Sequence, residues 1–169
     1  MDEPFKNILV YLDGSEDSVT AAMAAIMLAI KLDATLTAMY VVNTRALKEL
    51  VSARIFLEAE EHEYRRDIEE DAIRYLNHVK ELADQKGLQI KTIKTSGSVN
   101  SEVGTYLKEH KIDLLVIGGL SQIHSRRDEL LSETDRMMRT ASCPVLVVRD
   151  NDQIWDSYES MPDVGRSEA

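Results

Sequence analysis

The sequence is poor in the features that mark several large classes of protein. It holds one cysteine, Cys143, so no disulfide can form within the chain and a reducing compartment is the simpler setting. Lysine and arginine number 20 against 30 aspartates and glutamates, a formal charge of −10. That shortage of basic side chains argues against nucleic acid, whose binding needs them to replace counterions on phosphates. It argues equally against an anionic membrane surface. The longest apolar run, Ala21 to Ile30, is too short to span a bilayer and follows an amphipathic pattern. Residues 1–7, MDEPFKN, lack a basic start followed by an apolar stretch, so no secretory signal is expected and the chain reads as cytoplasmic. The four histidines, His62, His78, His110 and His124, have no metal-ligand spacing with carboxylates or with Cys143, so no metal is expected. Nor does any Ser–His–Asp or Cys–His pairing suggest itself, and nothing points to an enzyme.

What is present is a regular alternation of short apolar runs and helical patterns. Ile8 to Leu12 (ILVYL) is wholly apolar, as in strands buried on both faces of a parallel sheet. Asp13-Gly14-Ser15 follows as a turn, with Ser15 placed to cap a helix over Asp17 to Lys31. Leu36 to Val42 is the next strand, completing a parallel crossover unit. Residues 45–86 are helical, as one helix or two, with the charged piece Glu58 to Arg66 either a break or an exposed turn. Gly87 is suited to end that stretch. Gln89 to Thr95 alternates like an edge strand, a helix runs from about Ser101 to His110, and Asp113 to Ile117 is a second apolar strand. A polar loop, Leu120 to Glu129, leads to a helix from about Ser132 to Thr140, and Val145 to Val148 closes the series. Five strands separated by helices predict a doubly wound five-stranded parallel sheet, order 3-2-1-4-5, with helices on both faces. In such a sheet a ligand sits beyond the strands' carboxyl ends where the order reverses. That brings Asp13-Gly14-Ser15 and Gly118-Gly119 together.

In these segments the chain resembles the universal stress protein family. The match runs from about Phe5 to Arg149: ILVYLDGSEDS, LTAMYVVN, a helix led by Gly97, DLLVIGG and ASCPVLVVR, in that order. Nucleotide-binding members carry a glycine, two residues, a glycine, nine residues, then glycine followed by Ser or Thr. Counted back from Cys143-Pro144, these positions fall on Gly118, Ser121, Leu131 and Ser132, so two of three glycines are absent. Glycine lets main-chain amides approach a phosphate, whereas Leu131 sets a bulky side chain there. Glu133 adds a negative charge in the first helical turn. The resemblance also implies an acidic position near the nucleotide at Asp13 and an adenine neighbour at Val41. Each has a structural counterpart: Asp13 as a turn device, Val41 as core, Ser132 as an N-cap. Arg126 and Arg127 could meet an anion but sit beside Asp128 and Glu129.

The expected function is that of a dimeric stress-response or regulatory protein acting through contacts with other proteins, without need of ATP; no cofactor is expected. The alternative is a module holding ATP or another adenylate through Asp13, Val41, Gly118, Ser121 and Ser132, with slow or no hydrolysis. A weaker third possibility is an anion sensor built around Arg126 and Arg127. Val145, Leu146, Val147 and Val148 form a bare apolar edge, and the resemblance implies that they pair across a two-fold axis. Residues 1–149 form the domain. Residues 150–169 form an acidic tail in which Ile154, Trp155, Tyr158 and Met161 could dock on the domain or on a partner subunit, with disorder expected beyond Pro162.

Overall fold

The computed structural model describes residues 3–54, 57–119 and 133–164. Five parallel strands, β1 (Asn7–Leu12), β2 (Thr35–Val42), β3 (Lys91–Ser96), β4 (Leu114–Gly118) and β5 (Val145–Val148), form one sheet in the order β3-β2-β1-β4-β5. The helices are α1 (Glu16–Leu32), α2 (Thr44–Ser52), α3 (Glu58–Gln85), α4 (Val99–Glu109), α5 (Glu133–Thr140) and α6 (Asn151–Ser160). The expected doubly wound architecture is present, with helices on both faces.

Strand alternation divides the core in two, because successive side chains point to opposite faces. Ile8, Val10 and Leu12 of β1 join α1, α3 and α6 on one face. Leu9 and Tyr11 join α4 and α5 on the other. β1 and β4 are buried on both faces, which is why they read as unbroken apolar runs. The amino end of β1 is tied across the sheet: the Asp113 carboxylate accepts from the main-chain amides of Lys6 (2.9 Å) and Asn7 (3.0 Å).

The stretch 45–86 is two helices. The charged piece Glu58 to Arg66 belongs to α3, and the interruption falls ahead of it, where Arg54 takes a positive φ of 58°. Gly87, at φ 78°, ends the α3 segment as expected.

The two sheet edges differ. β3 exposes Lys91, Thr92, Lys94 and Ser96, the charged and polar guard that keeps an edge from pairing. β5 has no charged residue, and Leu146 is 37 % exposed.

The tail is partly folded. α6 lies across α1 and reaches the carboxyl end of α3, where the Tyr158 hydroxyl donates to the Leu82 carbonyl at 2.6 Å. Of the two docking places expected for this segment, the structure shows the one on the domain. Pro162, Asp163 and Val164 follow, with the Val164 amide donating to the Gln85 carbonyl at 2.9 Å. No helix among the described residues is long and apolar enough to cross a membrane.

Candidate functional site

β1 lies between β2 and β4, so the strand order reverses at its carboxyl end. There the chain leaves β1 through Asp13-Gly14-Ser15 and enters α1. Gly14 has φ 82°, and a side-chain carbon at it would stand 3.2 Å from the Tyr40 hydroxyl and 3.3 Å from the Tyr75 ring. Both the backbone conformation and the two tyrosines require glycine at this corner.

The turn already engages two of the amides that could greet an anion. One Asp13 carboxylate oxygen accepts from the Ser15 amide (2.9 Å) and the Ser15 hydroxyl (2.5 Å). The Ser15 hydroxyl oxygen in turn accepts from the Ser18 amide at 3.1 Å, the expected N-cap of α1. Free amides at a helix start are what attract phosphate. Here Ser15 and Ser18 already spend theirs on side chains of the same turn.

Gly118 stands at the end of β4 directly against α1. A side-chain carbon at Gly118 would come within 2.7 Å of the Asp17 carbonyl carbon and oxygen and 3.0 Å of the Ser18 nitrogen. Close packing of strand on helix therefore accounts for this glycine. Val41 is 3 % exposed and packs in the core cluster with Val99 and Val103 of α4. Ser121, Leu131 and Ser132, like Arg126 and Arg127, lie outside the described residues.

Negative charge gathers around the cleft. Tyr11 titrates well above the usual tyrosine range because it is buried, with further upward pushes from Asp13, Tyr40 and Glu133. Burial first and then Asp13 and Asp71 push Tyr40 up to about 12. Glu133, the first residue of α5, is thus close enough to β1 to be felt electrostatically, as its place in the sequence suggested. A cavity of about 370 Å³ opens beside the ends of β4 and β5, lined by Asp17, Gly119, Val148, Arg149, Asp150, Asn151 and Asp152. Among the described residues its lining holds three carboxylates, Asp17, Asp150 and Asp152, and one guanidinium, Arg149, a poor setting for a triphosphate. Among the described residues no group of three or more His, Cys, Asp or Glu could hold a metal ion. Cys143 offers no activated thiol, because burial pushes it up.

What the sequence did not reveal is the part played by α1's first turn. Asp17 accepts from the Asn151 side-chain amide at 2.8 Å, so the tail begins at the rim of the cleft. The available signal was α1 itself, in which every residue from Ser18 to Ile26 is buried. The amphipathic face expected for Ala21 to Ile30 is therefore absent as far as Ile26, and a stretch buried all round must be covered on all sides.

A family model described as "Universal stress protein family" matches residues 4–149. Universal stress protein YxiE of Bacillus subtilis is 30 % identical over 148 residues, covering 86 % of this chain and 99 % of its own. Universal stress protein MJ0531 of Methanocaldococcus jannaschii is 33 % identical over 145 residues, covering 86 % and 82 %. Among solved structures, universal stress protein UspA from Lactobacillus plantarum shares 27 % identity at a TM-score of 0.57, covering 88 % of this chain and 100 % of its own. Two more distant structures share the fold. One is a universal stress protein in complex with cAMP (19 % identity, TM-score 0.61, covering 87 % and 98 %). The other is an Arabidopsis thaliana family member with AMP bound (16 %, TM-score 0.57, covering 86 % and 93 %).

Proposed function

The chain belongs to the universal stress protein family, and from that premise we propose that it is a regulatory protein that works through protein contacts without depending on ATP. It acts in the cytoplasm, as a regulator and not a catalyst. The observation that carries this reading is the turn after β1. The Ser15 and Ser18 amides are taken by the Asp13 and Ser15 side chains, so they do not await a phosphate. Asp13, Asp17 and Glu133 add like charge on the approach. A triphosphate that used these two amides would have to displace existing hydrogen bonds and also overcome that repulsion. Calorimetric titration of ATP, AMP and cyclic AMP into nucleotide-stripped protein tests it: no heat of ATP binding is expected, and micromolar ATP affinity would defeat the proposal.

Working as a homodimer is part of the same reading. Of the two edges, β3 is guarded by lysines while Val145, Leu146, Val147 and Val148 present an uncharged ladder to a second copy.

The second reading is an adenylate-binding module with slow or no hydrolysis. It is favoured by family structures that carry cAMP and AMP. Here Asp13, Val41, Gly118, Ser121 and Ser132 would form the site. Binding of AMP or cyclic AMP without ATP in the same titration is its signature, since a single phosphate meets less of the repulsion.

A further inference from the structure

Residues beyond the family match cover a surface that the matched domain would otherwise leave open. The match ends at 149, and α6 begins at Asn151. Every residue of α1 from Ser18 to Ile26 is buried, and the sheet, α3 and α6 together cover the helix. α6 is held mostly by polar anchors. Asn151 donates to Asp17 (2.8 Å), the Trp155 indole to the Thr20 hydroxyl (3.1 Å) and the Tyr158 hydroxyl to the Leu82 carbonyl (2.6 Å). At the far end Lys86, only 6 % exposed, donates to the Met161 carbonyl (2.6 Å) and the Asp163 carboxylate (2.7 Å) and lies 4.5 Å above the Tyr158 ring.

Three features mark this segment as removable. Its apolar share in the interface is small: Tyr158 is buried and Ile154 partly so, while Trp155 stays 42 % exposed. Elements with few buried apolar contacts open at a fraction of the global unfolding free energy. Its joint to β5 is two residues, Arg149 and Asp150; Asp150 lies in the left-handed region at φ 63° and also caps α6 by accepting from the Gln153 amide at 3.2 Å. The groove beneath it keeps a recognition code when the tail leaves. That code is a carboxylate at Asp17, a hydroxyl at Thr20, a carbonyl at Leu82 and a lysine needing an acid.

We propose that the α1–α3 face is a docking groove for an acidic amphipathic helix of a partner protein, and that α6 occupies it as a self-ligand that gates access. The seated tail specifies the occupant: aromatic residues at i and i+3, as in Trp155 and Tyr158, and an acid beyond the helix end to meet Lys86. The groove is one surface through which the proposed contact function is exerted, and the inference rests on that reading only for the existence of a partner. ATP titration addresses the contact reading and leaves the groove untouched, so the two fail separately.

The test uses a labelled synthetic peptide of residues 150–164 added to the full chain, with binding read by fluorescence anisotropy. A Trp155→Ala/Tyr158→Ala variant, with its own tail loosened, is expected to bind the peptide saturably. The unaltered chain should bind about tenfold more weakly or less, because the tethered tail competes at high effective concentration. Adding Lys86→Met to the loosened variant should cut peptide affinity by about tenfold, through loss of a partly desolvated ion pair. Equal affinity for both chains, or no binding by a loosened variant whose circular dichroism and melting remain those of a folded domain, overturns the proposal. Hydrogen exchange on the unaltered chain gives an independent check. Amides of α6 should exchange far faster than those of β1, and exchange of both through the same global opening would remove the gate. Dissociation of an oligomer on loosening the tail would assign the groove to a second copy's α6 and equally overturn it.

Discussion

Replacing Gly118 by alanine separates two reasons for a glycine at the end of β4. The φ there is not positive, so backbone strain plays no part and the added methyl is the whole perturbation. That methyl would stand 2.7 Å from the Asp17 carbonyl carbon and oxygen. Ordinary contact begins near ~3.5 Å, so the first turn of α1 or the end of β4 must yield by about 0.8 Å. Overpacking of this kind costs about 1–3 kcal/mol. For a domain of this size each kcal/mol lowers the melting temperature by about 2–4 °C, so a fall of about 2–12 °C is expected. Gly104 supplies the control. It sits in the middle of α4 with nothing within 4 Å of an added carbon, so Gly104→Ala should stabilise by about 0.5–1 kcal/mol through helix propensity alone. The same chemical change is therefore predicted to act with opposite sign at two glycines. Scanning calorimetry without nucleotide reads both. A Gly118→Ala protein melting at or above the parent temperature would refute the packing argument and return Gly118 to a purely ligand-contacting role.

Asp113→Ala should cost about 1.5–3 kcal/mol in urea unfolding, because its carboxylate is the partner of the Lys6 and Asn7 amides at the start of β1. Stability should fall as pH rises from about 10 to about 12, since the folded state holds the Tyr40 proton up to about 12 while the unfolded chain releases its own near the ordinary value of 10. The unfolded state then binds fewer protons, which gives the slope its negative sign; buried Tyr11 and Tyr158 add to it in the same direction, so Tyr40→Phe should make it shallower, and an unchanged slope would exclude Tyr40 as a source. Sedimentation of Val147→Lys should show a monomer with the fold kept where the parent sediments as the proposed homodimer, and an unaltered dimer would place the interface away from β5.

The parts legible in the sequence are those where one physical cause dominates. β1 and β4 are apolar on both faces because helices cover both, and that alone gave a parallel sheet with these strands inside. Ser15 and Gly87 announced a helix start and a helix end through local chemistry that needs no tertiary context. Residues whose role depends on a distant neighbour were not legible. Asp113 looks like any strand-flanking acid until the fold brings the amino end of β1 beside it. Trp155 and Tyr158 had helical spacing but no visible partner, since Thr20 and Leu82 stand 135 and 76 positions away. Gly118 fitted a phosphate motif in the sequence, yet its neighbour in space is the backbone of Asp17. The motif's other positions, Ser121, Leu131 and Ser132, lie outside the described residues.

The first turn of α1 is where these threads meet. Its backbone at Asp17 touches Gly118, its side chain at Asp17 holds Asn151, and its cap at Ser15 is locked by Asp13. A ligand that enlists the Ser15 amide must displace Asp13 from it. It cannot drive the turn toward β4, since Gly118 already stands in contact there. Movement away from β4 shifts the Asp17 carboxylate and strains its bond to the tail. Cleft and tail therefore meet at one element, the first turn of α1, through Ser15 on one side and the Asp17 carboxylate on the other.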